Sequence, residues 1–432
     1  MMFMVRTQAL RSATKNPPLK VSPESGRRQI GSALALILVG VLLAMIVAEI
    51  TFRLIGIGEQ GVYQWDADRG WALRPGASEW QRREGNAFVQ INREGMRDRE
   101  HSYSKPKDTI RIAFIGDSFT EAEQVAIQDD FVSVAERRLQ NCARLRGKKV
   151  EALNFGCDGY GTAQELVTLK RDVWKFSPDI VVLLFFAGND LRNNSPRLEW
   201  HLCQPFYLLR GDRLVLSGPF IDSPVFHTEC LIKFESRRSA ALNVFGDSIA
   251  RIRSVAKAKK ALFLDGRSKN PVTSAELGIG DAIYSPPQSQ DWEAAWNVTE
   301  KLLLAINDDV KQHGAQFLSV TATVGPQAYP SPVWRAKYER SLDVKDLLYP
   351  DLRIRNLGGR AGFPVLNLAP AFQLFADQHH VFLHGFGDTK LGVGHWNEAG
   401  HHLAGELIAN RLCDLIESGC ARGTSPFGCA SR

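Results

Sequence analysis

An apolar run that ends at a glycine and a serine is the feature that most constrains this chain. Residues Ile110–Ile115 are apolar except for Arg111, and Gly116-Asp117-Ser118 follow directly. A run of about six such residues, stopped by a glycine and a polar turn, predicts a buried parallel strand ending in a tight loop. Ligands of open α/β sheets bind outside the carboxyl ends of the strands. We therefore expect Ser118 to lie where a nucleophile can meet a substrate.

The same pattern recurs twice further along the chain. Residues 150–155 end in the glycine-rich loop 156–161, and residues 180–186 end at Gly188-Asn189. A helix is predicted after each loop, the first starting with Thr162 and Glu165 as a capping box. Three strands that each lead through a glycine-containing loop into a helix are typical of βαβ units. The sequence therefore predicts an α/β fold with a parallel sheet.

The remaining elements of that fold are predicted from periodicity and caps. They are a helix capped by Asp129-Asp130 and carrying Phe131 to Cys142, a helix over 292–314, strands at 316–321 and 364–368, and a final helix from the N-cap Asn397 to Leu415. A basic amphipathic helix is expected over about 237–258, within an irregular insertion at 192–288. Residues 87–92 alternate like an exposed strand.

A membrane anchor is predicted near the N-terminus. Residues 30–48 are uncharged and rich in Leu, Val, Ile and Ala, which is about the length that spans the hydrocarbon core as a helix. The preceding residues are basic, which predicts that this end stays in the cytoplasm. No A-x-A cleavage site follows, so we expect an uncleaved anchor rather than a signal peptide. The rest of the chain is then expected outside the cytoplasm, in a bacterial periplasm or at the cell exterior.

These observations predict five segments. They are a cytoplasmic basic tail at 1–29, a transmembrane helix at 30–50, a linker with a small β extension at 51–105, a catalytic domain at 106–420 and a tail at 421–432.

Charge and cysteine usage exclude several other classes. The net charge is +6, but the basic residues are scattered outside the N-terminal cluster, so no nucleic-acid partner is expected. The seven cysteines show no C-x-x-C spacing, which argues against a zinc ribbon; disulfides are open, with connectivity undetermined. The loop 156–161 lacks the order of a nucleotide-binding motif. No cofactor and no metal are predicted.

Residues suited to acyl transfer follow the predicted strands. A serine needs a base to take its proton and hydrogen-bond donors to hold the developing oxyanion. Gly159 offers a backbone N–H in a tight loop, Asn189 offers a side-chain amide, and Ser118 offers its own N–H. His395 lies just before the final helix and is the expected base.

Four blocks carry a family resemblance. Gly116-Asp117-Ser118, the Gly159 loop, Gly188-Asn189-Asp190 and Gly394-His395-Trp396-Asn397 resemble, in order, the motifs of the SGNH (GDSL-type) hydrolases. The resemblance covers roughly residues 109–415. It implies a flavodoxin-like three-layer α/β/α sandwich, with Ser118 as nucleophile, Gly159 and Asn189 as oxyanion donors and His395 as base. It also implies cleavage of esters of lipids or of acetyl groups on sugars.

One position departs from the family pattern. The family usually carries an Asp three residues before its His, and this chain has Gly392 there. Either Ser118 and His395 act as a dyad, with a backbone carbonyl as the orienting group, or a distant acid such as Asp388 substitutes. His384 is a further candidate for a supporting or substrate-contacting group.

The leading hypothesis is a membrane-anchored serine esterase acting on O-acyl groups, acetyl foremost, of envelope or secreted polysaccharide. A polysaccharide O-acetyltransferase, a lipid esterase and a non-catalytic envelope scaffold are the alternatives. A second Gly-Asp-Ser triplet at Gly246-Asp247-Ser248 lies in a helical pattern with no strand before it, so it is rejected as a nucleophile.

Overall fold

The computed structural model of this 432-residue chain describes residues 23–54, 61–145, 147–236, 239–242 and 281–421. The chain divides into two units at Gly58/Glu59. The first contains helix α1 (Pro23–Leu54). Its segment Gly31–Leu54 has a mean hydropathy of 2.8 and is long and apolar enough to cross a membrane. An apolar helix is thus present where the anchor was predicted, and its membrane role and orientation remain predictions.

A five-stranded parallel sheet forms the centre of the second unit. Across the sheet its strands are β11 (Val365–Asn367), β10 (Gln316–Thr321), β7 (Ile180–Phe185), β5 (Thr109–Gly116) and β6 (Lys149–Gly156). Numbered along the chain this is the order 2-1-3-4-5, the flavodoxin-like arrangement. The predicted α/β class and strand positions are confirmed.

Helices cover both faces of this sheet. The helices described in this unit are α2 (Ser118–Glu121), α3 (Phe131–Leu139), α4 (Thr162–Arg171), α5 (Asp190–Asn193), α6 (Pro219–Asp222), α7 (Pro224–Ser236), α8 (Gln290–Gln312), α9 (Pro332–Leu342), α10 (Tyr349–Ala361), α11 (Ala369–His379) and α12 (Glu398–Ala421). Of these, α6 and α7 pack on β9 (Arg213–Ser217) and β1 (Tyr63–Asp66) rather than on the parallel sheet. Helix α3 packs against α12, whereas α4 and α10 pack against α8. Right-handed crossovers place these two groups on opposite faces, because the chain reverses its direction across the sheet after β6.

The extension that precedes the core consists of two antiparallel hairpins. One pairs β1 (Tyr63–Asp66) with β2 (Gly70–Leu73), and the other pairs β3 (Ser78–Gln81) with β4 (Ala87–Gln90). Their apolar residues form a small cluster together with Cys157 and Tyr160, which lie just after β6. The hairpins are therefore packed against the loop that carries Gly159.

Two disulfides brace the core and the insertion. Cys142–Cys413 joins the segment after α3 to α12, and Cys203–Cys230 closes the start of the insertion. Between the second pair lie a hairpin of β8 (Phe206–Arg210) with β9 (Arg213–Ser217), helix α6 and part of α7. Cys157 is a buried free thiol.

Two local predictions are corrected. Helix α3 ends at Leu139, so Cys142 lies beyond it. Helix α4 is capped by Gly161 rather than Thr162, since the side chain of Gln164 accepts the N–H of Gly161 and Asn194 Oδ1 accepts the N–H of Ala163. The helix predicted over 237–258 and the Gly246-Asp247-Ser248 triplet lie almost wholly outside the described residues.

Candidate active site

The turn that carries Ser118 forms because two neighbouring strands end in glycine. Ser118 begins α2 directly after β5, and the Asp117 side chain accepts the N–H of Phe119 at 3.0 Å. A Cβ at Gly116 would lie 2.1 Å from Thr120 Oγ1, and one at Gly156 would lie 2.2 Å from the backbone nitrogen of α2's last residue. Both glycines therefore let the turn lie close above the sheet.

Ser118 and His395 meet although 277 positions separate them in the chain. The distance from His395 Nε2 to Ser118 Oγ is 2.9 Å, within the range for transfer of the hydroxyl proton. Ser118 is 6% exposed, while the His395 side chain keeps 23% of its surface accessible. The ring of Phe119 lies 5.0 Å from the imidazole, centroid to centroid.

Glu84 supplies the carboxylate that orients His395. It lies in the turn between β3 and β4, and its Oε2 is 2.6 Å from His395 Nδ1. Its Oε1 accepts the backbone N–H of the same histidine at 2.9 Å. Both carboxylate oxygens thus hold His395, with Nδ1–H directed to the acid and Nε2 free to face Ser118. The three side chains form a Ser-His-Glu arrangement of the triad type.

This arrangement corrects the expectation for the group that orients His395. Neither a backbone carbonyl nor Asp388 orients the imidazole. Asp388 instead accepts the N–H of Gly85 at 3.3 Å and so supports the turn that carries Glu84.

Three glycines explain how the carboxylate fits. A Cβ at Gly394 (φ +86°) would lie 2.2 Å from Glu84 Oε1, and one at Gly85 (φ +74°) would lie 2.2 Å from the carbonyl oxygen of Gln124. Gly392 has φ +81° and a Cβ there would approach Tyr329 to 3.0 Å. An aspartate at 392 would therefore be strained in this backbone, which accounts physically for the departure from the family pattern.

His384 supports the backbone next to His395 from a buried position. It is 1% exposed, its Nδ1 is 2.7 Å from the Gly394 oxygen and its Nε2 is 2.8 Å from Thr323 Oγ1. Trp396 Nε1 donates to the same Thr323 oxygen, so the threonine hydroxyl donates to His384 and the histidine donates from Nδ1 to Gly394. Burial lowers the pKa of His384 to about 4, which keeps it neutral. It is a positioning residue, and its burial is inconsistent with contact to substrate.

Glu84 and His395 each stabilise the charged form of the other. Burial opposes both charged forms. The hydrogen bond and charge of Glu84 nevertheless raise the pKa of His395 above its usual value, and those of His395 lower the pKa of Glu84. Glu84 is therefore ionised across the range in which His395 gains and loses its proton.

The expected oxyanion donors lie in the loops after the neighbouring strands. Gly159 has φ +73° and follows β6, and Asn189 is half-buried at the start of α5 after β7. The Gly159 loop is hydrogen-bonded to α2, because Glu121 Oε2 accepts the N–H of Asp158 at 2.6 Å. The structure thus gathers all four predicted residues at the carboxyl edge of β5, β6 and β7.

The other histidines near the C-terminus have packing or surface positions. His401 is fully buried and stacks on Phe131, and His402 faces Asp129 at 3.2 Å. Within the described ranges, no group of three or more His, Cys, Asp and Glu side chains is arranged to hold a metal ion.

Comparisons with known proteins give remote structural neighbours. No protein-family model and no curated protein matches the chain. An acetyl xylan esterase, AlAXEase, matches 70% of this chain and 100% of its own at 13% identity and a TM-score of 0.37. A member of the lipolytic G-D-S-L family from Veillonella parvula matches 70% and 97% at 11% identity and 0.33. A catalytic mutant of Axe2, an acetylxylan esterase from Geobacillus stearothermophilus, matches 70% and 93% at 12% identity and 0.35.

These three solved structures are two acetylxylan esterases and a lipolytic protein of the G-D-S-L family, the group that the four sequence blocks resemble. At these identities and TM-scores the similarities transfer no activity to this chain.

Proposed function

We propose that this chain is a serine esterase that hydrolyses O-acyl esters through Ser118, His395 and Glu84. The observation that carries the proposal is the continuous hydrogen-bonded line from Glu84 Oε2 to His395 Nδ1 and from His395 Nε2 to Ser118 Oγ, with distances of 2.6 and 2.9 Å. A base within reach of the nucleophile, itself oriented by a third group, is the arrangement that activates a serine.

The proposed reaction steps follow from these two hydrogen bonds. Ser118 Oγ attacks the ester carbonyl carbon while its proton moves to His395 Nε2, and Glu84 stabilises the imidazolium. The oxyanion accepts hydrogen bonds from the N–H groups of Ser118 and Gly159 and from the amide of Asn189. His395 then protonates the departing alcohol oxygen, which leaves an acyl-Ser118 ester. Water attacks that ester with His395 again as base, releasing the acid and restoring the serine.

The substrate class is a second part of the proposal. The apolar segment Gly31–Leu54 supports attachment to a bacterial inner membrane by one span, with the N-terminus in the cytoplasm and the catalytic unit in the periplasm or outside the cell. We infer that the substrate is acylated cell-envelope or secreted polysaccharide, acetylated above all.

Turnover of p-nitrophenyl acetate by the full chain in detergent tests the activity. We expect Ser118→Ala to lower kcat by about four orders of magnitude or more, since removal of a triad serine has effects of that size. The matched control is Ser248→Ala, in the second Gly-Asp-Ser triplet, which should leave turnover unchanged.

Equal turnover by wild type and Ser118→Ala would refute the esterase. With Ser118-dependent turnover established, p-nitrophenyl butyrate and octanoate identify a lipid esterase if they exceed acetate. An added oligosaccharide that accepts the acetyl group in preference to water identifies a transferase.

A further inference from the structure

We propose that Trp71 is a positioning residue that sets the direction of the Gly159 N–H in the oxyanion hole. The inference depends on the proposed function and extends it. Trp71 lies on β2, in the first hairpin of the extension, and its Nε1–H donates to the backbone oxygen of Asp158 at 2.8 Å. Its ring edge borders Gly159, where an added Cβ would lie 3.3 Å from Trp71 Cζ2.

The contact acts on the peptide that carries the donor. The oxygen of Asp158 and the N–H of Gly159 belong to one peptide group, and that group is trans, as are all the peptide bonds in the described ranges. In a trans peptide the C=O and N–H bonds lie in one plane and point in opposite directions. When the indole holds the carbonyl on one side, it fixes the N–H toward the other.

The adjoining peptides are held by residues of the core. Glu121 Oε2 accepts the Asp158 N–H at 2.6 Å, and Asn193 Nδ2 donates to the Gly159 oxygen at 2.9 Å. Trp71 contributes a contact to the peptide between these two. The positive φ of Gly159 makes this restraint important, because a glycine has more accessible backbone conformations than other residues.

The indole is itself held in place. Its strand pairs Trp71 with Trp65, and the backbone oxygen of Trp71 accepts the hydroxyl of buried Tyr160 at 2.7 Å. The ring of His201 meets it edge-on at 5.3 Å. The Nε1–H of Trp71 therefore approaches the Asp158 oxygen from a fixed position. Little rotamer freedom of the indole is lost when this hydrogen bond forms.

Replacement of Trp71 by 3-benzothienylalanine in the full chain tests the proposal. This isostere keeps the ring shape and replaces the N–H by sulfur. We expect kcat for p-nitrophenyl acetate to fall about tenfold with KM within about twofold, a fraction of the ~10²–10³ lost when an oxyanion donor is removed outright. The acid limb of the pH profile should stay unchanged, because Glu84 and His395 are untouched. Trp71→Phe gives a second, genetically simple variant.

The matched control is Trp80→Phe, on the neighbouring hairpin, where the indole is 48% exposed and pairs with Phe88 across the strands. Its kcat should match wild type. A kcat for the isostere equal to wild type would overturn the role of Trp71 while leaving the esterase intact. Wild-type turnover that does not depend on Ser118 would instead remove the proposed function.

Discussion

The parallel-sheet core and the two hairpins of the extension contribute different parts of the same site. The core carries the proposed reacting groups: Ser118, Gly159 and Asn189 follow three adjacent strands, and His395 precedes the last helix. The hairpins supply groups that orient them. The turn between β3 and β4 brings Glu84 to His395, and we infer that β2 brings Trp71 to the Gly159 peptide.

The two regions also differ in burial. Two inner strands of the core are almost wholly buried: β7 is fully buried and β5 is buried from its second residue on. The hairpins have a smaller apolar cluster. Beyond β4, the buried Arg97 donates to the backbone oxygens of Glu121 at 3.0 Å and Val125 at 2.5 Å, at and after the end of α2.

We infer that the extension acts in catalysis through two of its residues. The Glu84 carboxylate lies 2.6 Å from His395 Nδ1, and Trp71 Nε1 lies 2.8 Å from the Asp158 oxygen. Substitutions at Glu84 and Trp71 should therefore change turnover while leaving the sheet folded.

The largest effect is expected from Glu84→Gln. The amide cannot stabilise the imidazolium, and its N–H₂ competes for the tautomer of His395, so we expect kcat to fall about 10³–10⁴-fold as in other triads that lose their acid. The measurement is p-nitrophenyl acetate turnover by the full chain. Asp388→Asn is the matched control and should stay within about threefold, because Asp388 contacts only the supporting turn at 3.3 Å. The reverse ranking of the two variants would assign the acid to Asp388.

A smaller effect is expected from Gly394→Ala. The new methyl would lie 2.2 Å from Glu84 Oε1 at a φ of +86°, so the carboxylate must move away from His395. We expect kcat to fall about 10²-fold, part of the full triad effect, and stability to fall by about 1–3 kcal/mol. Turnover and thermal unfolding measure the two.

Gly387→Ala in the same loop is the control for that variant, since no atom lies within 4 Å of a Cβ there. A Gly394→Ala protein with wild-type kcat would show that the carboxylate is not required close to that backbone.

The core could be predicted because its signals are local. Apolar runs such as residues 180–185 identify buried strands, and the polar residues directly after them fall at one edge of a parallel sheet. This pattern predicts Ser118, Gly159 and Asn189 as candidate site residues. The helix cap at Thr162 was wrong because a tertiary contact prevailed: a Cβ at Gly161 would lie 2.7 Å from the Cβ of Asn193.

Glu84 could not be predicted because its partner is 311 positions away and its own surroundings carry no periodic pattern. A charged turn, Arg82-Arg83-Glu84-Gly85, looks like any hairpin tip in sequence. The available signal was indirect: Gly392 lacks the usual acid, and Gly394 beside it leaves the space that the carboxylate of Glu84 fills.

The pH dependence of kcat/KM for wild type and Glu84→Gln tests the central claim most directly. His395 must be neutral to accept the serine proton, so activity falls as pH drops through its pKa. Glu84 raises that pKa, so the wild-type acid limb should lie above the ordinary histidine value of about 6.5. In Glu84→Gln the acid limb of the kcat/KM profile should move to lower pH, and the plateau value of kcat/KM should fall. A variant whose limb and plateau both coincide with wild type would contradict the claim that the extension supplies the triad acid.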